Sequence, residues 1–132
     1  MNIQTFIALY LVSVPIFFVI DMIWLGVVAS SFYKNQLGAM MQISWTPAIA
    51  FYLIYLVGLI IFAVYPAVLS GSWKTALISG ALFGFFTYAT YEMTNLATLK
   101  DWPLILVPVD ILWGTVLGAS VSVVTYYVYS LI

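Results

Sequence analysis

The sequence predicts an all-α membrane protein: a four-transmembrane-helix antiparallel bundle with an interfacial segment between helices one and two. Three observations lead there. Of the 132 residues, 66% are hydrophobic and only 5% are charged, against roughly a quarter charged in a soluble domain. The mean hydropathy is +1.19, and a chain this short cannot hide so much apolar surface from water. Apolar runs long enough to cross ~30 Å of hydrocarbon, about 20 residues at 1.5 Å each, recur along the chain. They cover residues 3–29, 47–69, 75–99 and 103–131, so the whole chain, 1–132, reads as one integral membrane domain.

The elements follow in order. The first apolar run is too long, and its Met1-Asn2-Ile3-Gln4 start too uncharged, for a cleaved signal peptide, so it reads as a retained helix. Residues 30–45 form the one long connection, mixing Phe32, Tyr33, Leu37, Met40 and Met41 with Lys34, Asn35, Gln36 and Gln42. That mixture suits an amphipathic segment at the membrane surface, or a continuation of helix one into the headgroups. Thr46-Pro47 reads as an N-cap with proline at the first helical position. Pro66 and Ser70-Gly71-Ser72 read as the end of helix two and a tight turn. Helix two carries no acid and reads mainly as scaffold, with Tyr52, Tyr55, Phe62 and Tyr65 packing or facing lipid. The short Lys100-Asp101-Trp102-Pro103 connection makes helices three and four antiparallel neighbours. Trp45, Trp73, Trp102, Tyr126, Tyr127 and Tyr129 fall near helix ends, as an aromatic belt does. Lys34 and Lys100 on one face outnumber Lys74 on the other by a single lysine, which tips the first and third connections toward the cytoplasm. Gly80-x-x-x-Gly84 and Gly114-x-x-x-Gly118 mark close helix contacts, inside the bundle or across a homodimer seam.

Composition excludes several functions. Three lysines and no arginine make no nucleic-acid footprint. The absence of His and Cys removes the usual ligands of haem, zinc and iron–sulfur centres, and with them disulfides and thiol catalysis.

Three acids remain inside the expected spans: Asp21, Glu92 and Asp110. An ionisable side chain in hydrocarbon is costly and therefore a functional candidate. Counted from the nearest helix end, each lies about 10–12 Å below one and the same membrane face, on three different helices. Tyr88, Glu92 and Asn95 share a face of helix three at i, i+4, i+7 spacing, with Tyr91 beside them. Asp21/Trp24 and Asp110/Trp113 repeat an Asp-x-x-Trp spacing on helices one and four. Pro108 withdraws the N–H that would reach the Leu104 carbonyl, leaving an acceptor one turn from Asp110. With no Lys or Arg among them, three anions this close cannot all stay charged unless protons or a cation neutralise them. The bland alternative is a protonated, hydrogen-bonded network that only fixes helix register.

The stretches Asp21-Met-Ile-Trp24-Leu-Gly26, Tyr33-Lys34-Asn35-Gln36-Leu37-Gly38 and Tyr91-Glu92-Met93-Thr94-Asn95-Leu96-Ala97-Thr98 are distinctive. So is Trp102-Pro103-Leu104, followed by Asp110-Ile-Leu-Trp113-Gly114. With these residues the whole chain resembles the small inner-membrane proteins of bacteria grouped as domain of unknown function 2177. The resemblance implies a multi-pass bacterial inner (plasma) membrane protein with four helices, and it carries no activity with it.

Function is therefore argued from the residues. Asp21, Glu92, Asp110, Asn95, Tyr88, Tyr91, Trp24 and Trp113 are the expected ligand- and proton-binding set, a pocket of helices one, three and four. Carboxylates walled by Trp and Tyr suit a small cationic or amphipathic ligand, bound or transported in exchange for protons. In size and helix number the chain is similar to the small multidrug-resistance exporters, which work as dimers. It departs from them in carrying three acids on three helices rather than one. A membrane enzyme acting on a lipid or isoprenoid is the alternative. There the three acids serve as general acid and base, or hold Mg²⁺ with Asn95. No catalytic residue is assigned, because no nucleophile elbow, phosphate loop or Asp-rich motif is present. A third reading is a non-catalytic accessory subunit or apolar-ligand binder. Beyond Mg²⁺ or a bound lipid no cofactor is expected. The expected partners are membrane lipids, the ligand and a second copy of the chain.

Overall fold

The computed structural model describes residues 1–132, and it is helical from end to end. Helix α1, Ile3–Ile23, starts where the Asn2 side chain accepts the Thr5 N–H at 2.7 Å. It runs through Pro15 and continues into a π turn, Trp24–Val28. A short helix α2, Ser30–Leu37, and a 3₁₀ turn, Gly38–Met40, make up most of the long connection. Helix α3, Trp45–Leu59, passes through a second π turn, Ile60–Val64, into α4, Tyr65–Ser70. Helices α5, Trp73–Thr98, and α6, Leu106–Ser130, complete the chain.

Several boundaries differ from the sequence reading, each for a local reason. Helix α3 starts at Trp45 after an extended Ser44, so Thr46 is not its cap. Pro47 sits instead in the first turn, where an N–H has no helical partner anyway. Pro66 does not end the second helical run. The π turn before it shifts the hydrogen-bond ladder by one residue, and the chain passes the ring by starting α4 around it. The stop comes at Gly71, whose φ of 60° is the left-handed conformation of a C-cap. Ser72 closes that turn with an N–H to the Ala67 carbonyl at 3.1 Å, and its hydroxyl caps α5 through the Thr75 N–H. Helix α6 starts three residues later than expected. The Leu104 carbonyl, thought to be freed by Pro108, already accepts the Val107 N–H at 3.3 Å.

Three helical runs are long and apolar enough to cross a membrane: Ile3–Val28, Trp45–Ser70 and Leu106–Ser130. Helix α5 has 26 residues and matches them in length, but Lys74, Glu92, Asn95 and its many hydroxyls make it less apolar. It meets α6 more extensively than any other pair of elements meets. The contact is made by glycines: Gly80 lies on Gly118 and Gly84 on Gly114, and a Cβ on any of these four would collide with the other helix. As one number rises the other falls, so these two helices run in opposite directions. Both small-residue pairs are thus used inside the chain.

The core joins α1, the α3 run and α6 through Phe17, Tyr55, Leu56, Leu59, Ala63, Leu117 and Val121. A second cluster of Leu9, Ile60 and Val64 lies beside it. Leu11, Val19, Phe62, Leu82, Phe86 and Leu112 stay exposed on the outside. A helix that is apolar on both its inner and outer faces has hydrocarbon as its natural solvent. From the second helical run, helix α5 is met mainly by the second π turn and α4, while the N-terminal half of α3 stands away from it.

Candidate functional site

Where α1, α2, α3, α5 and α6 come together they enclose a cleft of about 280 Å³. Asp21 and Asp110 lie in its wall, 2% and 8% exposed. The rest of the wall is aromatic or aliphatic: Trp24 and Leu25 from the first π turn and its flank, Tyr33 and Leu37 from α2, and Tyr52 from α3. Tyr88 and Tyr91 come from α5, Trp102 from the α5–α6 turn, and Trp113 and Leu106 from α6. Met41 closes it on the side of the 3₁₀ turn.

The two Asp-x-x-Trp sequences are used reciprocally. The spacing suggests an acid and an indole paired on one helix. Instead the Trp113 indole of α6 donates to Asp21 Oδ1 on α1 at 3.3 Å. The Trp24 indole donates to the Tyr33 hydroxyl at 3.1 Å, and that hydroxyl donates to Asp110 Oδ1 on α6. Between the two acids the Trp24 and Trp113 rings stack, 4.4 Å between centroids and 5° from parallel. Each motif thus serves the other motif's carboxylate. The first π turn matters here, because it changes the helical phase at Trp24 and redirects the chain toward α2.

The third acid has its own indole. Glu92 is fully buried and accepts the Trp102 N–H on Oε2 at 2.8 Å. Asp101, in the left-handed region at φ 61°, turns the chain so that Trp102 points back at α5. A short polar side chain tolerates that conformation better than most. Glu92 adjoins Asp110 but lies behind the wall rather than in it.

The cleft has acids and no base among its lining residues. Asp21 Oδ2 and Glu92 Oε1 are buried without a well-formed hydrogen bond, though Tyr52 adjoins Asp21 and Asp110 adjoins Glu92; a buried charge left so costs several kcal/mol in a dry environment. Outside the spans, burial and then the bond to Asp110 push the Tyr33 phenol well above its ordinary 10.0, so it stays a neutral donor.

Of the residues expected from sequence, Asp21, Asp110, Trp24, Trp113, Tyr88 and Tyr91 line one cleft. Glu92 stands just behind it, and Asn95 is half-buried beside Tyr91 without reaching it. The three acids do not gather as a set of three metal ligands. Tyr33, Tyr52 and Trp102 were not expected in the site. Tyr52 faces the Asp21 carboxylate, so the second helical run is more than scaffold. The only sequence signal for these residues was their aromatic character near helix ends, which also fits an interfacial belt.

No curated protein and no solved structure matches the chain. The family model described as "Predicted membrane protein (DUF2177)" matches residues 6–127. The chain belongs to that family of membrane proteins.

Proposed function

We propose that the protein binds a small amphipathic cation in the Asp21–Asp110 cleft and exchanges it for protons across a bacterial inner membrane that the chain crosses four times. One observation carries this reading: a carboxylate oxygen, Asp21 Oδ2, buried without a well-formed hydrogen bond in the wall of a cleft that contains no basic side chain. A network built only to fix helix register would use both oxygens, since an orphaned buried charge opposes folding. An alkylammonium or guanidinium group supplies the missing charge and donor. The stacked indoles and the tyrosines offer ring faces, each worth about 0.5–2 kcal/mol to a desolvated cation.

Proton exchange follows from the same charge accounting. With the cation gone, protons are the remaining means of neutralising the acids. Both glycine pairs are used within the chain, and one copy supplies a complete wall, so we take the single chain as the binding unit. The enzyme reading has less support, because Glu92 stands behind Trp102 and no three acids converge.

The test is titration of the protein in lipid nanodiscs with tetraethylammonium, following tryptophan fluorescence in weakly buffered solution. Saturable quenching with release of about one proton is expected, and Asp21→Asn should abolish both. Quenching that never saturates, or that persists in Asp21→Asn, contradicts the reading.

A further inference from the structure

A second cavity, about 520 Å³, opens beside the cleft between the N-terminal half of α3 and the middle of α5. Pro47, Ala48 and Phe51 form one side of it and Thr87 the other. Tyr52, Tyr88 and Tyr91 belong to both cavities and form the partition between them. The opening exists because α5 packs along α6 and meets the second helical run at the π turn and α4, so that α3 stands away from it toward its N-terminus. It holds no charged side chain, and the exposed Phe51 in its wall matches the hydrocarbon outside.

We infer that the ligand is a single-chain amphipath with a cationic head, whose ammonium group sits at Asp21 and Asp110 while its hydrocarbon tail lies in the cavity between α3 and α5. This rests on the cation-binding reading of the cleft and names the ligand class for it. Two features argue for one occupant spanning both cavities. The charge is complementary: Asp21 and Asp110 stand in the wall of a cleft with no basic side chain, and the neighbouring cavity is walled mainly by apolar and aromatic groups. The cavities also adjoin, with Tyr52, Tyr88 and Tyr91 lining both, so the two are joined by a turn of these rings. Their flat faces cover an alkyl chain, and their hydroxyls stay at the polar boundary. Loading from the bilayer then needs no aqueous route, since the tail never leaves an apolar medium.

The experiment is photolabelling in nanodiscs with dodecylammonium carrying a diazirine at the far end of its chain, compared with the same chain ending in an alcohol. Labelled positions are mapped by peptide mass spectrometry, and tetraethylammonium binding is measured alongside. The ammonium probe should label residues 47–52 and 87–91 about 5-fold more than the alcohol does, the factor of one desolvated ammonium–ring contact. Asp21→Asn should remove the excess. Ala48→Trp, which fills the side cavity, should remove the excess and leave tetraethylammonium binding intact. If tetraethylammonium binds but the two probes label the helices alike, the tail site is wrong and the cleft stands. If tetraethylammonium does not bind either, both readings fall.

Discussion

Single side chains set the logic of this site. Tyr33 is the hinge of the network, since its hydroxyl takes the Trp24 N–H and gives its own proton to Asp110. Tyr33→Phe strands the indole donor and removes a charge-assisted bond, and should cost about 1–3 kcal/mol in resistance to unfolding. A pH dependence follows from the same residue. Its phenol is held neutral well above 10.0 when docked. Below the value of the free phenol both states are neutral and the docking free energy is fully present. As pH rises past about 10 the undocked phenol ionises first, so docking weakens. Trp24 fluorescence should therefore shift at alkaline pH in wild type and not in Tyr33→Phe. Asp21→Asn behaves differently from an ordinary core substitution. Because one oxygen has no well-formed hydrogen bond, the variant should match wild type within about 1 kcal/mol in thermal unfolding while losing ligand. The acids themselves were legible in the sequence, since charge at that depth is rare. Their partners were not. Asp21 and Trp24 are three residues apart, yet each pairs across the bundle, and no spacing rule encodes that exchange.

The elements owe their positions to irregularities that leave little trace in sequence. The turn at Gly71 and the two glycine pairs could be read directly, because a left-handed cap and a close backbone approach both need a residue without a side chain. The π turns could not. Trp24–Val28 looks like any apolar helical stretch, and Ile60–Val64 reveals itself only by letting the helix pass Pro66. The first turn aims Trp24 at α2, and the N-terminal half of α3 stands off α5, so Tyr33 and Tyr52 went unexpected. The glycine seam gives the sharpest test at this scale. A methyl at Gly84 would overlap the Gly114 carbonyl, and two backbones have nowhere to move without parting the helices. Gly84→Ala should cost at least about 2–3 kcal/mol in unfolding from detergent. Gly26→Ala, where nothing lies within 4 Å, should stay within about 0.5 kcal/mol.

For the molecule as a whole, three runs are long and apolar enough to cross a membrane, and the proposed fourth crossing is α5, whose glycine face packs on α6. The sequence carries no cysteine, so single-cysteine variants report topology without background. A membrane-impermeant maleimide should reach Ala39→Cys and Leu99→Cys from one side and Ser70→Cys from the other. Labelling of positions 70 and 99 from the same side would mean that α5 does not cross. Helix α2 and the α5–α6 turn both contribute to the wall beside the carboxylates, while the opposite half of the bundle packs aliphatic and aromatic side chains around buried Ser13, Ser122 and Thr125. A cleft with buried acids beside an apolar cavity is the arrangement on which the proposed binding of a cationic amphipath rests.

The most direct test of that claim is native mass spectrometry of the protein released from nanodiscs in the presence of decylammonium, wild type beside Asp21→Asn. A one-to-one adduct on a single wild-type chain, missing from an equally folded Asp21→Asn, is the result this account requires. The same adducts on both proteins, or none on wild type, would contradict it.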